Sequence, residues 1–206
     1  MLIKAIEKNI FIFVSMQKEL FVIAGCNGAG KTTASFSLLP SILNCDEFVN
    51  ADEIAKGISP FHPDQVSIEA GRIMLSRIQE LKQKGVNFAF ETTLASRSFV
   101  NVIESCKKDG YLVTLLYFWL STPELAIKRV HERVKDGGHN IPEEVIRRRY
   151  FKGLKNLFNL YQNKCDLVLI FDNSDRISEL LYEKATNSKE FIYNDLKFQA
   201  IISIVK

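Results

Sequence analysis

Cysteine is scarce and scattered. The 206 residues contain four, Cys26, Cys45, Cys106 and Cys165, at spacings that suit neither a metal site nor a disulfide framework. They read as reduced thiols of a cytoplasmic protein. Long apolar runs are absent too. None approaches the roughly 18 residues that a membrane-crossing helix needs, so no membrane contact is expected. The apolar patch at residues 10–14 is short for a signal segment, and no small-residue cleavage site follows it before the next strand. Residues 1–15 therefore read as an N-terminal extension outside the core, with Met16 just ahead of the first natural strand. Internal repeats, low-complexity tracts and Ser/Gly-rich linkers are also missing, so residues 16–206 read as one domain. Neither sign of charge dominates. Lys and Arg total 27 against 24 Asp and Glu, a net +3, which fits an anionic ligand without calling for nucleic acid.

What is present is an ordinary globular balance, 47% hydrophobic and 25% charged, enough for one α/β domain with a sizeable core. The strongest local pattern lies near the start. An apolar run at residues 20–24 stops at Gly25 and is followed by Cys26, Asn27, Gly28, Ala29, Gly30, Lys31, Thr32 and Thr33. This fits G-x-x-x-x-G-K-[ST] without a mismatch, in the strand-to-helix setting the motif requires. Glycines let the loop curl so that successive N–H groups face phosphate oxygens. Lys31 can reach the β- and γ-phosphates, the Thr32 hydroxyl suits Mg²⁺, and the next helix turns its positive end to the anion.

The rest of the chain alternates. Strands are expected at 19–24, 48–51, 86–90, 111–120 and 167–171. Helices are expected at 31–39, about 64–84, about 96–108, from Thr122-Pro123 to the Gly137-Gly138-His139-Asn140 break, and from Pro142 to about Lys164. In the 64–84 helix, Val66, Ile68, Ala70, Ile73, Met74, Leu75 and Ile78 mark one broad apolar face. Residues 179–193 suit a closing hairpin around Asn187-Ser188, and 196–205 suit helix or strand equally. Such a βαβ series gives a mainly parallel sheet flanked by helices, with ligands at the carboxyl ends of the strands.

Two carboxylates are expected just past strand ends on the edge that carries the phosphate loop. Asp52 suits a helix N-cap, a catalytic base, or both. Glu91 suits either a role toward substrate or an ion pair beneath a loop, because an unpaired charge there would be costly. Thr92 and Thr93 could hold an acceptor or cap the next helix. From residue 124 to 155 there are nine Lys/Arg against five Asp/Glu. Arg129 and Arg133, four apart, share a helix face. With the Gly pair and Arg147, Arg148 and Arg149 they read as a basic helical lid at about 129–150 that closes over phosphates, or as a solvated charged helix pair. Arg133 and Arg148 are the candidates for screening charge. His139 reads as a turn or capping residue. Asn173 suits a base contact or a turn, and Tyr117, Phe118 and Trp119 suit the core.

The set AGCNGAGKTT, VNADEIA, FAFETTL and RVHERVKDGGHNIPEEVIRRRY resembles the zeta-toxin family of P-loop kinases, most closely its small stand-alone members. The resemblance spans about residues 20–150 and, with Asp172-Asn173-Ser174, reaches the last parallel strand. It implies a nucleotide-kinase-like fold with ATP and Mg²⁺ as cofactors. The reaction it implies is transfer of phosphate to a hydroxyl of a small molecule, in characterised zeta toxins the 3′-hydroxyl of UDP-N-acetylglucosamine. On the matching positions, Lys31 would hold phosphates, Thr32 the metal, Asp52 would be the base, and Glu91 would bind the acceptor. Lid arginines would stabilise the transferring group. An antitoxin protein is a candidate partner. The chain departs from the family's toxins at Asn50, where many carry a second acidic residue. The competing class is a P-loop NTPase or nucleotide-binding regulatory module with no small-molecule acceptor. Against it, no hydrophobic strand ends in an Asp–Glu pair.

Overall fold

The computed structural model describes residues 17–135, 137–138, 140–186 and 188–205. The N-terminal extension with Met16, His139 and Asn187 lie outside the described residues. Strand β1 (Glu19–Gly25) is buried on both faces after its first residue, as an apolar run in a covered parallel sheet must be. It runs between β3 (Phe88–Thr92) and β4 (Leu112–Trp119), with Val22 paired to Phe90 on one side and to Leu115 on the other. With β2 (Phe48–Val49), β5 (Leu167–Asp172), β6 (Glu179–Ala185) and β7 (Phe191–Ile192), the sheet has seven strands in the order β2-β3-β1-β4-β5-β6-β7. The first five are parallel and the last two antiparallel. The chain leaves β1 for β2 and β3 on one side and then crosses back to β4 on the other. The crevice at the carboxyl end of β1 is therefore the switch point where such sheets bind ligands.

The helices are α1 (Lys31–Leu38), α2 (Ala51–Ile58), α3 (Ser67–Lys84, entered through a 3₁₀ turn at Pro63–Val66), α4 (Ser98–Lys108) and α5 (Pro123–Lys135). α6 (Glu143–Asn156) and α7 (Asp195–Val205) complete the set. The Thr122 hydroxyl accepts from the Leu125 amide (3.1 Å) and caps α5, as its Thr-Pro start implies. Tyr117, Phe118 and Trp119 are core, and all four cysteines are buried and unpaired.

Several expectations need correcting. The second strand stops at Val49, because Asn50 turns to cap α2 and Ala51 is already helical. The third starts two residues late, at Phe88, where pairing with Leu20 begins, so Glu91 and Thr92 lie within the strand. The buried stripe of α3 is Ala70, Met74, Ile78 and Leu81, while Ile68, Ile73 and Leu75 are exposed. The helix expected to reach Lys164 is α-helical only to Asn156, then widens into a π turn and ends in a tighter 3₁₀ turn. The undecided tail is a helix, begun by the Asn194 side chain accepting from the Lys197 amide (3.1 Å).

α7 is fastened to the sheet by charge. Lys197 donates to Asp172 (2.6 Å) and to Glu179 (2.7 Å). Asp172 is nearly inaccessible. Burial alone would raise its carboxyl, but Lys197 and two hydrogen bonds from Ser174 outweigh it and hold it below the ordinary carboxylate value. A group lowered in this way stabilises the fold above its unfolded pKa, and that contribution fades as pH falls through the folded value. Lys197→Met should therefore cost about 1–3 kcal/mol at pH 7. Urea unfolding should show the gap to the wild type closing as pH falls through the ordinary carboxylate range to the lowered Asp172 value, below which the carboxyl carries its proton in both proteins.

Candidate active site

The phosphate loop is built by steric necessity. A Cβ on Gly25, whose φ is +141°, would sit 2.3 Å from the Phe118 carbonyl oxygen of β4. Asn27 and Ala29 are buried, and Gly28 and Gly30 also have positive φ. The Ala29 amide donates back to the Cys26 carbonyl (3.2 Å), and Gly30 is the N-cap of α1. The first intrahelical bond runs from Ala34 to Gly30 (3.0 Å), so the amides of Lys31, Thr32 and Thr33 belong to the orphan set at a helix start. Behind the loop, the Asn173 side chain donates to the Ala29 carbonyl (2.7 Å) and accepts from Ser178. Asn173 is thus a brace for the loop.

Lys31 is only 6% exposed. Its ammonium donates to the Cys26 carbonyl (3.0 Å) and pairs with Glu91 (3.3 Å). The other Glu91 oxygen accepts from the Thr32 hydroxyl (2.8 Å) and from the Asn50 side-chain amide (2.9 Å). Glu91 therefore gathers the loop lysine, the loop hydroxyl and the second strand's exit. Asn50 also accepts, through Oδ1, from the amides of Asp52 (2.8 Å) and Glu53 (3.4 Å). Asn50 is the N-cap of α2, and Asp52 is a first-turn residue rather than the cap. Burial pushes the Cys26 thiol up to about 11, which leaves it protonated and inert beside the loop.

A cavity of about 270 Å³ opens in front of these groups, and its lining includes Thr32, Asp52, Ser67, Arg133, Ile141 and Arg149. Asp52 thus shares one cavity with Thr32 of the phosphate loop, Arg133 of α5 and Arg149 of α6. Glu91 and Lys31 stand behind Thr32, outside that lining. Thr92 and Thr93 also lie outside it, and their hydroxyls accept from the Leu94 (3.1 Å) and Ala95 (3.4 Å) amides, which makes them turn-forming residues after β3. Thr33 is exposed on α1.

The arginines of α5 and α6 separate into different tasks. Arg129 donates to the Asn173 (2.8 Å) and Ser174 (2.7 Å) carbonyls and so ties α5 to the end of β5. Arg147 pairs with Glu124 at the surface. Arg148 is exposed and does not line the cavity, whereas Arg149 does, and it donates to Asn27 of the phosphate loop (3.1 Å). Burial lowers the Arg149 guanidinium's pKa from its ordinary value, Asp52 opposes that shift, and Arg148 adds to it. The signal for Arg149 was in the helix spacing. It lies three residues after buried Ile146 and four before buried Gly153, whereas Arg148 falls on the opposite face. Asn50 had no comparable signal, because its part depends on a strand 41 residues away.

A sequence profile described as "Zeta toxin" matches residues 5–186. An uncharacterized protein of Haemophilus influenzae is 30% identical over 135 residues, covering 66% of this chain and 94% of its own. The AvrRxo1-ORF1:-ORF2 crystal structure with ATP superposes with a TM-score of 0.76 at 16% identity, covering 97% of this chain and 67% of that one. The PezAT chromosomal toxin–antitoxin system of Streptococcus pneumoniae gives 0.62 at 18% identity, covering 98% and 92%. At these identities the structural likenesses speak for the fold, a mostly parallel P-loop sheet flanked by helices.

The two kinds of arginine on α5 and α6 should part on mutation. Arg129→Ala removes two charge-assisted bonds to carbonyls and should cost about 1.5–3 kcal/mol. Arg148→Ala should stay within about 0.5 kcal/mol of the wild type. Urea unfolding of both variants measures the difference.

Proposed function

The chain belongs to the zeta toxin family, and from that premise we propose that it is an ATP-dependent phosphotransferase acting on a hydroxyl of a small molecule. The acceptor is a nucleotide sugar such as UDP-N-acetylglucosamine, an assignment that rests on the resemblance of its motifs to characterised zeta toxins. The observation that carries the reading is the shared cavity, in which Thr32 of the phosphate loop, Asp52 of α2, and Arg133 and Arg149 of the lid converge. Its roughly 270 Å³ falls just under the range of about 300–1,000 Å³ of sites for drug-sized ligands. It therefore suits a sugar-sized portion of the acceptor, with the rest reaching outward.

In this reading the loop amides and Lys31 hold the β- and γ-phosphates of ATP. The Thr32 hydroxyl, with Glu91 beside it (2.8 Å), fits Mg²⁺. Among the described residues no cluster of three or more metal-ligating side chains exists, and Mg²⁺ commonly takes most of its oxygens from phosphates and water. The ion would neutralise developing phosphate charge. Asp52 accepts the acceptor's hydroxyl proton as its oxygen bonds to the γ-phosphorus. The bond from that phosphorus to the β–γ bridging oxygen breaks, and ADP leaves. Arg133 and Arg149 screen the charge that spreads over the transferring group. Arg149 takes this part in place of Arg148, on the evidence of the cavity lining. Glu91 orders Lys31 and Thr32 from outside the cavity lining, and Thr92 and Thr93 shape the turn after β3 instead of holding the acceptor. The PezAT neighbour is a toxin–antitoxin system, and by that analogy an antitoxin protein is the proposed partner. Among the described residues no helix is long and apolar enough to cross a membrane.

Incubation with ATP, Mg²⁺ and a panel of nucleotide sugars, read by mass spectrometry, should reveal one acceptor gaining a phosphate. ATP consumption that never depends on an acceptor would instead favour an NTPase. Asp52→Asn should keep ATP affinity and lower transfer by about 10²–10⁴-fold, whereas Lys31→Ala should lose nucleotide binding. An Asp52→Asn protein as active as the wild type would remove the base assignment.

A further inference from the structure

Asn50 is 6% exposed and uses both ends of its side chain. Oδ1 accepts from the Asp52 and Glu53 amides, and Nδ2 donates to the Glu91 oxygen that also accepts from Thr32. This forces the amide's orientation, because only an oxygen can take the helix N–H groups and only an NH₂ can serve the carboxylate. The result is a continuous path from the phosphate loop through Thr32, Glu91 and Asn50 to the first turn of α2, which carries Asp52. We propose that Asn50 is a positioning residue that joins the nucleotide half of the site to α2, and that the joint works only as an amide set against a carboxylate. The proposal rests on the phosphotransferase reading for its purpose.

The need for an amide follows from the surrounding charges. Glu91 faces Lys31 of α1 at 3.3 Å. Asp52 projects from α2, and Arg149 approaches from α6, where it feels the charge of Asp52 and bonds Asn27. A carboxylate at position 50 would cap α2 equally well, but it would stand against Glu91 at hydrogen-bond distance. Two ionised carboxylates offer each other no donor and repel, and they put one more negative charge beside the phosphate loop. The amide keeps the cap and the bridge without that second charge. When a nucleotide draws Lys31 and Thr32 to its phosphates, the Asn50 bond remains to hold Glu91 and, through the cap, Asp52.

The test compares the wild type with Asn50→Asp, which keeps the cap but offers Glu91 no N–H, and with Asn50→Ser, whose hydroxyl is too short to keep both cap and bridge and adds no charge. Binding of mant-ADP, a fluorescent ADP analogue, and urea unfolding of the ligand-free proteins are measured at about pH 7.5. Asn50→Asp should bind mant-ADP about tenfold more weakly than the wild type, and Asn50→Ser about threefold more weakly. Their unfolding constants should rise about tenfold and about threefold in the same order. Binding of mant-ADP within about twofold of the wild type in both variants, whatever their stability, would make Asn50 a structural cap only and overturn the proposal. If no protein binds mant-ADP, the nucleotide reading falls, and the unfolding constants still decide whether the joint exists.

Discussion

The ammonium of Lys31 is almost wholly withdrawn from water, and a charge so placed needs company. Glu91 supplies it, from a strand that lies beside β1. Because β1 sits between β3 and β4, the two halves of this ion pair reach the same crevice by sheet topology alone. Glu91 then has one oxygen left to satisfy, and Thr32 and Asn50 donate to it. The loop, the third strand and the start of α2 are thus parts of one electrostatic arrangement, not three neighbouring features.

The far side of the loop is held differently, by neutral and carbonyl partners. Asn173 bonds the Ala29 carbonyl, and Arg129 bonds the backbone just after β5. α6 is fixed through its C-terminal half. The Asn156 side chain donates to the Leu94 carbonyl (2.6 Å), and Gly153 comes so close to the Thr93 carbonyl that an added Cβ would lie 2.4 Å from it. That anchorage leaves the N-terminal half of α6 to carry Arg149 to the cavity, while the turn near Gly137 and Gly138 absorbs the change of direction between α5 and α6.

Sequence reading reached the fold because its main signals are local. The phosphate loop is a contiguous string, and the buried runs at β1 and β4 are long enough to be read as covered parallel strands. It failed where position depends on register or on a distant partner. Apolar residues 86–90 mark a strand but not where pairing with β1 begins, so the start was misplaced by two residues. Ile68, Ile73 and Leu75 look like core by period, yet only the narrower Ala70-Met74-Ile78-Leu81 stripe is buried. The apolar tail was ambiguous by period, although the Asn194-Asp195 pair before it carried a helix-start signal. Among the site residues, Lys31, Thr32 and Asp52 were legible from motif and strand ends. Asn50 was not, since a capping asparagine looks the same whether or not a carboxylate faces its other end.

All four native thiols lie inside the protein, at 0–5% exposure. Burial raises the pKa of each, to about 11 or 12. The native chain therefore presents a surface nearly silent toward maleimide and iodoacetamide chemistry at neutral pH. A single cysteine introduced at an exposed position of α6 would be the fast-reacting one, so a fluorophore could be placed beside the arginine-bearing helix without stripping the interior of its own sulfur.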